Sequence, residues 1–347
     1  MPTSIHDVAA RAGVSVATVS RSFTAPHAVR TQTRERVLAA AAALGYAPNR
    51  AARGLITGRT GNVGVIVPDL GNPYFHAVLQ GAQARAREAD YAVFVADGQE
   101  SAAEEEALIR AMSKQVDGIA VCSSRLAPAQ LAALDRSPTV VLLNRRIPGR
   151  PAVNVDSAGG MRQAVEHLAG LGHTRVAFVS GPTRSWSNQQ RLRGLRAAAR
   201  TAGIDAVTIG PFAPQFESGV GAADRVLLTG ATAVLAYNDL VAVGILRRLA
   251  QLGIRVPEQL SVVGFDDIPL AAMVTPALTT VAAPTMLAGA TAVDALLRSL
   301  DPDAAGPAAE VQRLPAALVV RDSTAPPTAR AAATGARRPA TMTITGA

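Results

Sequence analysis

Near the start of the chain, the stretch "VSVATVSRSF", Val14 to Phe23, combines four hydroxyl side chains, small apolar residues and a single arginine, Arg21. Hydroxyls can bond phosphate oxygens, and a guanidinium can pair bidentately with guanine O6 and N7. The setting is basic. Residues 1–60 hold eight arginines against Asp7 and Glu35, a net of +6 within a formal charge of +8 for all 347 residues. A basic segment joined to a nearly neutral body points to a polyanion-binding module attached to something else.

Catalysis finds no matching pattern. His6, His27, His76, His167 and His173 are scattered without metal-ligand spacing. No G-x-S-x-G elbow is present. "GRTGNVG" precedes an apolar run instead of following one, which is the wrong order for a dinucleotide loop. The expectation is therefore no catalytic residue, no metal and no cofactor.

The Arg21 segment must be positioned by helices. "IHDVAARA" sets Ile5, Val8, Ala9 and Ala12 on one helical face, with Ser4 as its N-cap and Gly13 as its stop. Ser15 can cap a second helix, on which Val19 and Phe23 face the first helix while Ala17 and Arg21 share another side. A third helix is expected from about Thr31 to Leu44, with Val37, Leu38, Ala41 and Leu44 inward and Gly45 ending it. Two short helices on a tight glycine turn make a helix-turn-helix. Val16 is open between two places, since it lies three and seven residues from Val19 and Phe23 and so fits the small core as well as an outer groove.

"IHDVAARAGVSVATVSRSF" resembles the signature of the lactose-repressor (LacI/GalR) family of bacterial transcription factors. The resemblance implies that the helix after Ser15 enters the major groove of double-stranded DNA, with Val16, Ala17 and Arg21 at base-reading positions and Ser15, Thr18 and Ser20 on phosphates. The following "YAPNRAARGL" resembles the family's hinge. Pro48 interrupts the third helix, Asn49 is a good N-cap, and Ala51, Ala52 and Leu55 form one apolar side. By resemblance these residues meet the minor groove, Leu55 as a wedge, with Arg50 and Arg53 on phosphates. Gly54 weakens such a helix by about 1 kcal/mol relative to Ala.

From Asn62 onward, short β-rich runs alternate with helical stretches. "NVGVIVP", "YAVFVAD", "GIAVCS" and "TVVLLN" read as buried parallel strands, and "RVAFVSG", "AVLAYND" and "LSVVGFDD" repeat the pattern beyond Ser157. Two doubly wound blocks follow, with ligand positions at the carboxyl ends of the strands. "VPDLGNPYF", "SGPTRSWSNQQRLRGL", "AYNDLVAVG" and "VGFDDIPL" resemble the same family, which implies a periplasmic-binding-protein-like core of two α/β subdomains around an effector cleft. Arg191 and Asp266 match the family's effector positions, and such a charged pair of donors and acceptors suits sugar hydroxyls or a polar ring. Asn238 and Asp239 match strand-end positions, although Asp239 is equally suited to cap a helix. Tyr74, Phe75, Ser185, Trp186 and Phe212 complete the candidate set. Trp186 can stack on a flat ligand face or pack in a loop. Asn144 and Asp156 end strands as reserves.

The expected organisation is a headpiece over 1–47, a hinge over 48–61, a core over 62–325 and a disordered tail over 326–347. Within the core, subdomain 1 spans about 62–157 and 285–308, and subdomain 2 about 158–284 and 309–325. The tail shows no leucine heptad, so a homodimer is expected. A lone Cys122 permits no internal disulfide, and no apolar run is long enough to span a bilayer, so a cytoplasmic location with no membrane partner is expected. The function that fits is a repressor of a pseudo-palindromic operator, controlled by a small-molecule effector. A sugar or sugar derivative leads and a purine or nucleoside is second. A solute-binding protein would need a secretion signal and no headpiece. A sugar or nucleotide enzyme would need the glycine loop or catalytic group that is missing.

Overall fold

The computed structural model describes residues 3–24, 26–46, 58–134, 139–301 and 311–328. The expectations for Asn49, Arg50, Ala51, Ala52, Arg53 and Leu55, and for most of the tail, lie outside these residues. The chain divides into two units, Met1–Gly61 and Asn62–Ala347.

The first unit holds α1 (Ile5–Ala12), α2 (Val16–Thr24) and α3 (Thr31–Ala43). Ser4 and Asp7 form a capping box at the start of α1, and Gly13 ends it at φ 63°. Ser15 Oγ accepts from Thr18 N at 3.2 Å and so starts α2. Val8, Ala9, Ala12, Val19, Val37, Ala40 and Ala41 form the core. Four of these seven are alanines, which lets three short helices cross closely enough to close so small a core. Two expectations change here. Leu38 is 36% exposed. Ala40 takes the inward place, because the buried stripe of α3 runs through 37, 40 and 41. Val16, like Phe23, packs half-buried against the headpiece core, so its side chain belongs in large part to the core.

The second unit is built on two six-stranded sheets. The first contains β1 (Asn62–Val67), β2 (Ala92–Asp97), β3 (Gly118–Cys122), β4 (Thr139–Leu143), β5 (Ala152–Val155) and β11 (Val311–Leu314), in the order β11-β5-β4-β3-β1-β2. Every pairing in it is parallel. The second contains β6 (Arg175–Val179), β7 (Asp205–Ile209), β8 (Ala233–Ala236), β9 (Ser261–Asp266), β10 (Thr279–Ala282) and β12 (Ala317–Val319), in the order β12-β10-β9-β8-β6-β7. Here only β12 runs antiparallel to its neighbour. Around the first sheet lie α4 (Pro73–Glu88), α5 (Ala102–Met112), α6 (Pro128–Ala133) and α12 (Thr285–Leu300). With the second go α7 (Ser157–Gly170), α8 (Trp186–Ala202), α9 (Phe216–Leu228), α10 (Asp239–Gln251) and α11 (Pro269–Met273).

The reason for strands here is local. β1, β3, β4, β6, β8 and β9 are runs of Val, Ile, Leu, Ala and Phe buried on both faces, the pattern a helix-covered parallel sheet demands. β2 departs from it. Its apolar run predicts a buried strand, yet Phe94 is 39% and Val95 38% exposed, because β2 is the outer strand of its sheet. β5, β7 and β10 are short or partly polar runs that the apolar pattern did not single out. β11 pairs with β5, so the last return from the first sheet to the second falls between Leu314 and Ala317 and not at 309. Two glycines set the α4–α12 crossing. A Cβ on Gly81 would strike the Met286 carbonyl, and one on Gly289 the Val78 carbonyl, so the helices touch backbone to backbone.

Candidate functional site

In the first unit, α2 turns Val19 inward and leaves Ala17 and Arg21 exposed on the other side. Arg21 Nε donates to the Ala17 carbonyl at 3.2 Å, which lays the guanidinium along the helix face. Ser15 and Thr18 hydroxyls lie 2.9 Å apart at the start of the same helix. Ser20 is half-buried. Ser22, one residue past Arg21, is 1% exposed, and its Oγ donates to the Thr18 carbonyl at 2.8 Å. An exposed arginine, an exposed alanine and a hydroxyl pair at a helix N-terminus form a surface suited to base edges and phosphates.

In the second unit, strand ends from both sheets enclose a cavity of about 30 Å³. One wall carries Tyr74, Phe75, Glu100, Ser123, Arg125 and Asn144, and the other Ser187, Arg191, Tyr237, Asn238 and Asp266. Backbone strain gathers here. Of the non-glycine residues with positive φ, Glu100 (56°), Ser123 (48°), Asn144 (53°) and Asp266 (112°) all line the cavity, and each ends or follows a strand. Such conformations cost about 1–3 kcal/mol each and concentrate at functional sites. They turn polar side chains into the cleft just where the sheet hydrogen bonding stops.

Each wall carries one arginine–carboxylate pair. On the second, Arg191 is 5% exposed. Its guanidinium donates to Asp266 Oδ1 at 3.0 Å and to the Tyr237 carbonyl, and it lies over the Phe265 ring at 3.6 Å. Its Nε–H has no hydrogen-bond partner among the described residues. On the first, Arg125 donates to Glu100 at 2.6 and 2.8 Å and to the Ser123 carbonyl at 2.6 Å. Behind it the buried Glu105 accepts from Arg125 N at 2.7 Å and from the Ser124 hydroxyl, and burial raises its pKa. Burial also pushes the Asp266 carboxyl up to about 6, with the Arg191 charge only partly opposing the rise. The Tyr74 hydroxyl accepts from Asn144 Nδ2 at 2.7 Å. Burial, reinforced by the Asp266 charge, raises its pKa, so Tyr74 keeps its proton for donation.

Of the residues singled out in the sequence, Tyr74, Phe75, Arg191, Asn238 and Asp266 converge on this cavity, as does Asn144 from the reserves. The others stand elsewhere. Ser185 caps α8, accepting from Asn188 N at 3.2 Å, and lies 3.1 Å from the Tyr237 hydroxyl. Trp186 is the first residue of α8, half-buried outside the lining. Phe212 packs against the β6–β8 core, with Arg225 5.7 Å from its ring. Asp156 caps α7 and pairs with Arg313 at 3.0 Å.

Asp239 points into the core. Its carboxylate accepts from Thr280 Oγ1 at 2.5 Å and from Ile268 N at 2.9 Å, and burial with the Asp266 charge raises its pKa to about 8. Its role is to hold the loop after β9, whose Ile268 packs into the core of the first subdomain. The cap of α10 is Asn238, which accepts from Val241 N at 3.0 Å and donates to the Pro214 carbonyl at 3.0 Å. Sequence reading missed Glu100, Ser123, Arg125, Ser187 and Tyr237. Their shared signal is a polar or aromatic residue at a strand end or the opening of the next helix, as in "ADGQE", "VCSSR" and "LAYN".

Among the described residues no cluster of three His, Cys, Asp or Glu side chains could hold a metal ion, and no helix is long and apolar enough to cross a membrane.

Residues 4–49 match the family described as bacterial regulatory proteins, lacI family, and residues 165–324 match a periplasmic binding protein-like domain. The catabolite control protein A of Priestia megaterium is 31% identical over 93% of this chain and 100% of its own length. The transcriptional regulator GalS of Salmonella typhimurium is 36% identical over 81% of this chain and 85% of its own. Among solved structures, the lac repressor dimer bound to operator and the anti-inducer ONPF aligns with a TM-score of 0.83 at 30% identity, covering 94% of this chain and all of that one. A complex of the transcriptional regulator CelR with cellobiose aligns at 0.69 and 31% identity, covering 92% and 99%.

Proposed function

The chain belongs to the lacI family of bacterial regulatory proteins, DNA-binding transcriptional regulators and not enzymes, and from that premise we propose that it is a homodimeric repressor released or retained by a neutral, polyhydroxylated effector. The observation that carries the effector class is the pair of arginine–carboxylate couples, Arg191–Asp266 and Arg125–Glu100, one on each wall of one cavity. Each wall is neutral as a whole and rich in both donors and acceptors, which suits hydroxyls that both give and take hydrogen bonds. The unpartnered Arg191 Nε–H and the available Tyr74 hydroxyl proton add two donors. The CelR–cellobiose complex supports a sugar over a charged ligand.

A cavity of about 30 Å³ is far below the ~300 Å³ and more of typical ligand pockets. Effector entry therefore requires the walls to separate, and any such movement is a ready means of coupling ligand to operator affinity. That coupling is only as large as the effector's preference for one arrangement. The operator-bound lac repressor dimer supports pairing of two copies on a pseudo-palindromic site. Exposed Phe94 and Val95 on the outer strand of the first sheet, with Leu228 and Met273 on the second subdomain, supply apolar surface for it.

The test is a calorimetric screen of mono- and disaccharides and nucleosides on the full chain, followed by operator gel shifts with the best binder. A sugar is expected to bind and to change operator affinity, and Arg191→Ala to abolish the response while operator binding persists. Binding by nucleosides alone, or a normal response in Arg191→Ala, would overturn the effector reading.

A further inference from the structure

The second subdomain carries an open groove of about 630 Å³ that is separate from the effector cavity. It runs between the outer face of α8 and the outer strand β7. Arg193, Arg196 and Arg200 rim it, while Ile204 and Ala206 give it an apolar floor. α8 contains four arginines and no acidic residue, and of the four only Arg191 turns inward. Arg193 reaches the neutral Gln190 at 3.2 Å. Arg196 and Arg200 have no ion-pair partner among the described residues.

The opposite side of the groove is an unpaired strand edge. β7 bonds only to β6, with Val176 opposite Ala206 and Phe178 opposite Thr208. Asp205 N donates inward to the Thr174 carbonyl, and the Ile209 carbonyl accepts inward from Ser180 N. Backbone groups alternate sides along a parallel strand, so Asp205, Val207 and Ile209 face β6. The N–H and C=O of Ala206 and Thr208 face out. Side chains alternate as well: Ala206 packs on the α7–α8 side and Ile209 on the α9–α10 side. Ala206 and the arginines of α8 thus border one channel, and the outward backbone of Thr208 continues the same strand edge beyond it.

We propose that this channel binds an extended acidic peptide segment of a partner protein, added as a seventh strand at the β7 edge. Main-chain bonds to Ala206 and Thr208 would hold it, and acidic side chains on every second residue would meet the arginines. The spacings agree. Arg196 and Arg200 lie about 6 Å apart along the helix, close to the roughly 7 Å between acids two residues apart in a strand. Charge excludes the chain's own C-terminal segment, which has Arg330, Arg337 and Arg338 and no acid beyond residue 328. A nucleic acid would satisfy the arginines but has no hydrogen-bond ladder to offer the strand edge.

The probe is a fluorescent peptide of alternating Glu and Val, seven residues long, with oligoglutamate, an alternating Lys–Val peptide and a single-stranded oligonucleotide as comparisons. Anisotropy with the full chain should show saturable binding of the Glu–Val probe alone. Arg196→Ala with Arg200→Ala should weaken it at least tenfold. Thr208→Pro, which removes an outward N–H at an edge where proline is tolerated, should do the same without changing operator binding. N-methylation of alternate probe residues tests the same ladder from the ligand side and stands if the proline variant does not fold. Equal binding of oligoglutamate or the oligonucleotide, or binding indifferent to both the proline and the N-methyl groups, overturns the proposal in favour of a diffuse basic surface. Absence of saturable binding overturns it altogether.

Discussion

Replacing Asp266 by asparagine should stabilise the core while silencing its response to effector. The intuitive expectation is the reverse, because Asp266 pairs with Arg191 at 3.0 Å inside the protein. The raised pKa decides. A carboxyl that would titrate at 3.8 in the unfolded chain titrates at about 6 in the folded one, even with the guanidinium beside it. Loss of hydration on burial therefore exceeds the attraction of the pair. A raised acid pKa means stability is fully present below the unfolded value and is lost as pH rises through the folded value. Here that window runs from about pH 4 to pH 6. Above it the ionised carboxylate costs about 3 kcal/mol, two pH units and a fraction at ~1.4 kcal/mol each. Asparagine keeps the shape, the acceptor oxygen and tolerance of φ 112° but never ionises. The gain should thus be about 3 kcal/mol at pH 7.5 and shrink to about 1 kcal/mol at pH 4.5. Urea unfolding followed by Trp186, the only tryptophan, reads the second subdomain directly. A loss of 3–5 kcal/mol at pH 7.5, the usual result of stripping one partner from a buried ion pair, would refute the reasoning.

Arg21→Ala should cut discrimination between operator and random DNA by about 1–3 kcal/mol, the worth of one bidentate base contact, and gel-shift competition measures it. Gly289→Ala forces a Cβ into the Val78 carbonyl, so a loss of about 1–3 kcal/mol in core stability is expected from urea unfolding. Cys122 is buried with its thiol pushed up to about 12 by burial and the Glu105 charge, so it should stay unreactive to a disulfide reagent at pH 8 until urea unfolds the core. Phe94→Glu should shift the dimer toward monomer in sedimentation, since it places a charge on the exposed outer strand.

The helix-turn-helix was legible because helices write their period and their ends into the sequence. Ser4, Asp7 and Gly13 mark α1, and Val19 against Ala17 and Arg21 separates inside from outside. The two sheets were legible as runs of buried β-branched residues, but β5 and β7 were not, being short or half-polar at places where pairing and not composition makes the strand. Side-chain direction at a helix start was equally hidden. Asn238 and Asp239 are adjacent and chemically alike, yet one faces the cleft and the other the core. Nothing in their order distinguishes them. The turn of α10 does, and it is set by the packing of Ile268 and Thr280 around the Asp239 carboxylate.

Glu100, Ser123 and Arg125 were illegible for a different reason. They reach the cleft because the backbone at Glu100 and Ser123 adopts positive φ just past a strand, a choice no periodicity records and no side chain there favours. The same conformations recur at Asn144 and Asp266, so local backbone strain and the buried carboxylate of Asp266 fall on one surface. A core that gives up stability at four strand ends and at one ionised pair concentrates those costs where its two subdomains meet. Ile268, tied through Asp239 to the second sheet and packed into the first subdomain, is with Leu240 an apolar contact that opposes their separation. Movement of the walls is then governed by a small balance between these terms, within reach of the few kilocalories that a set of new hydrogen bonds to a ligand supplies.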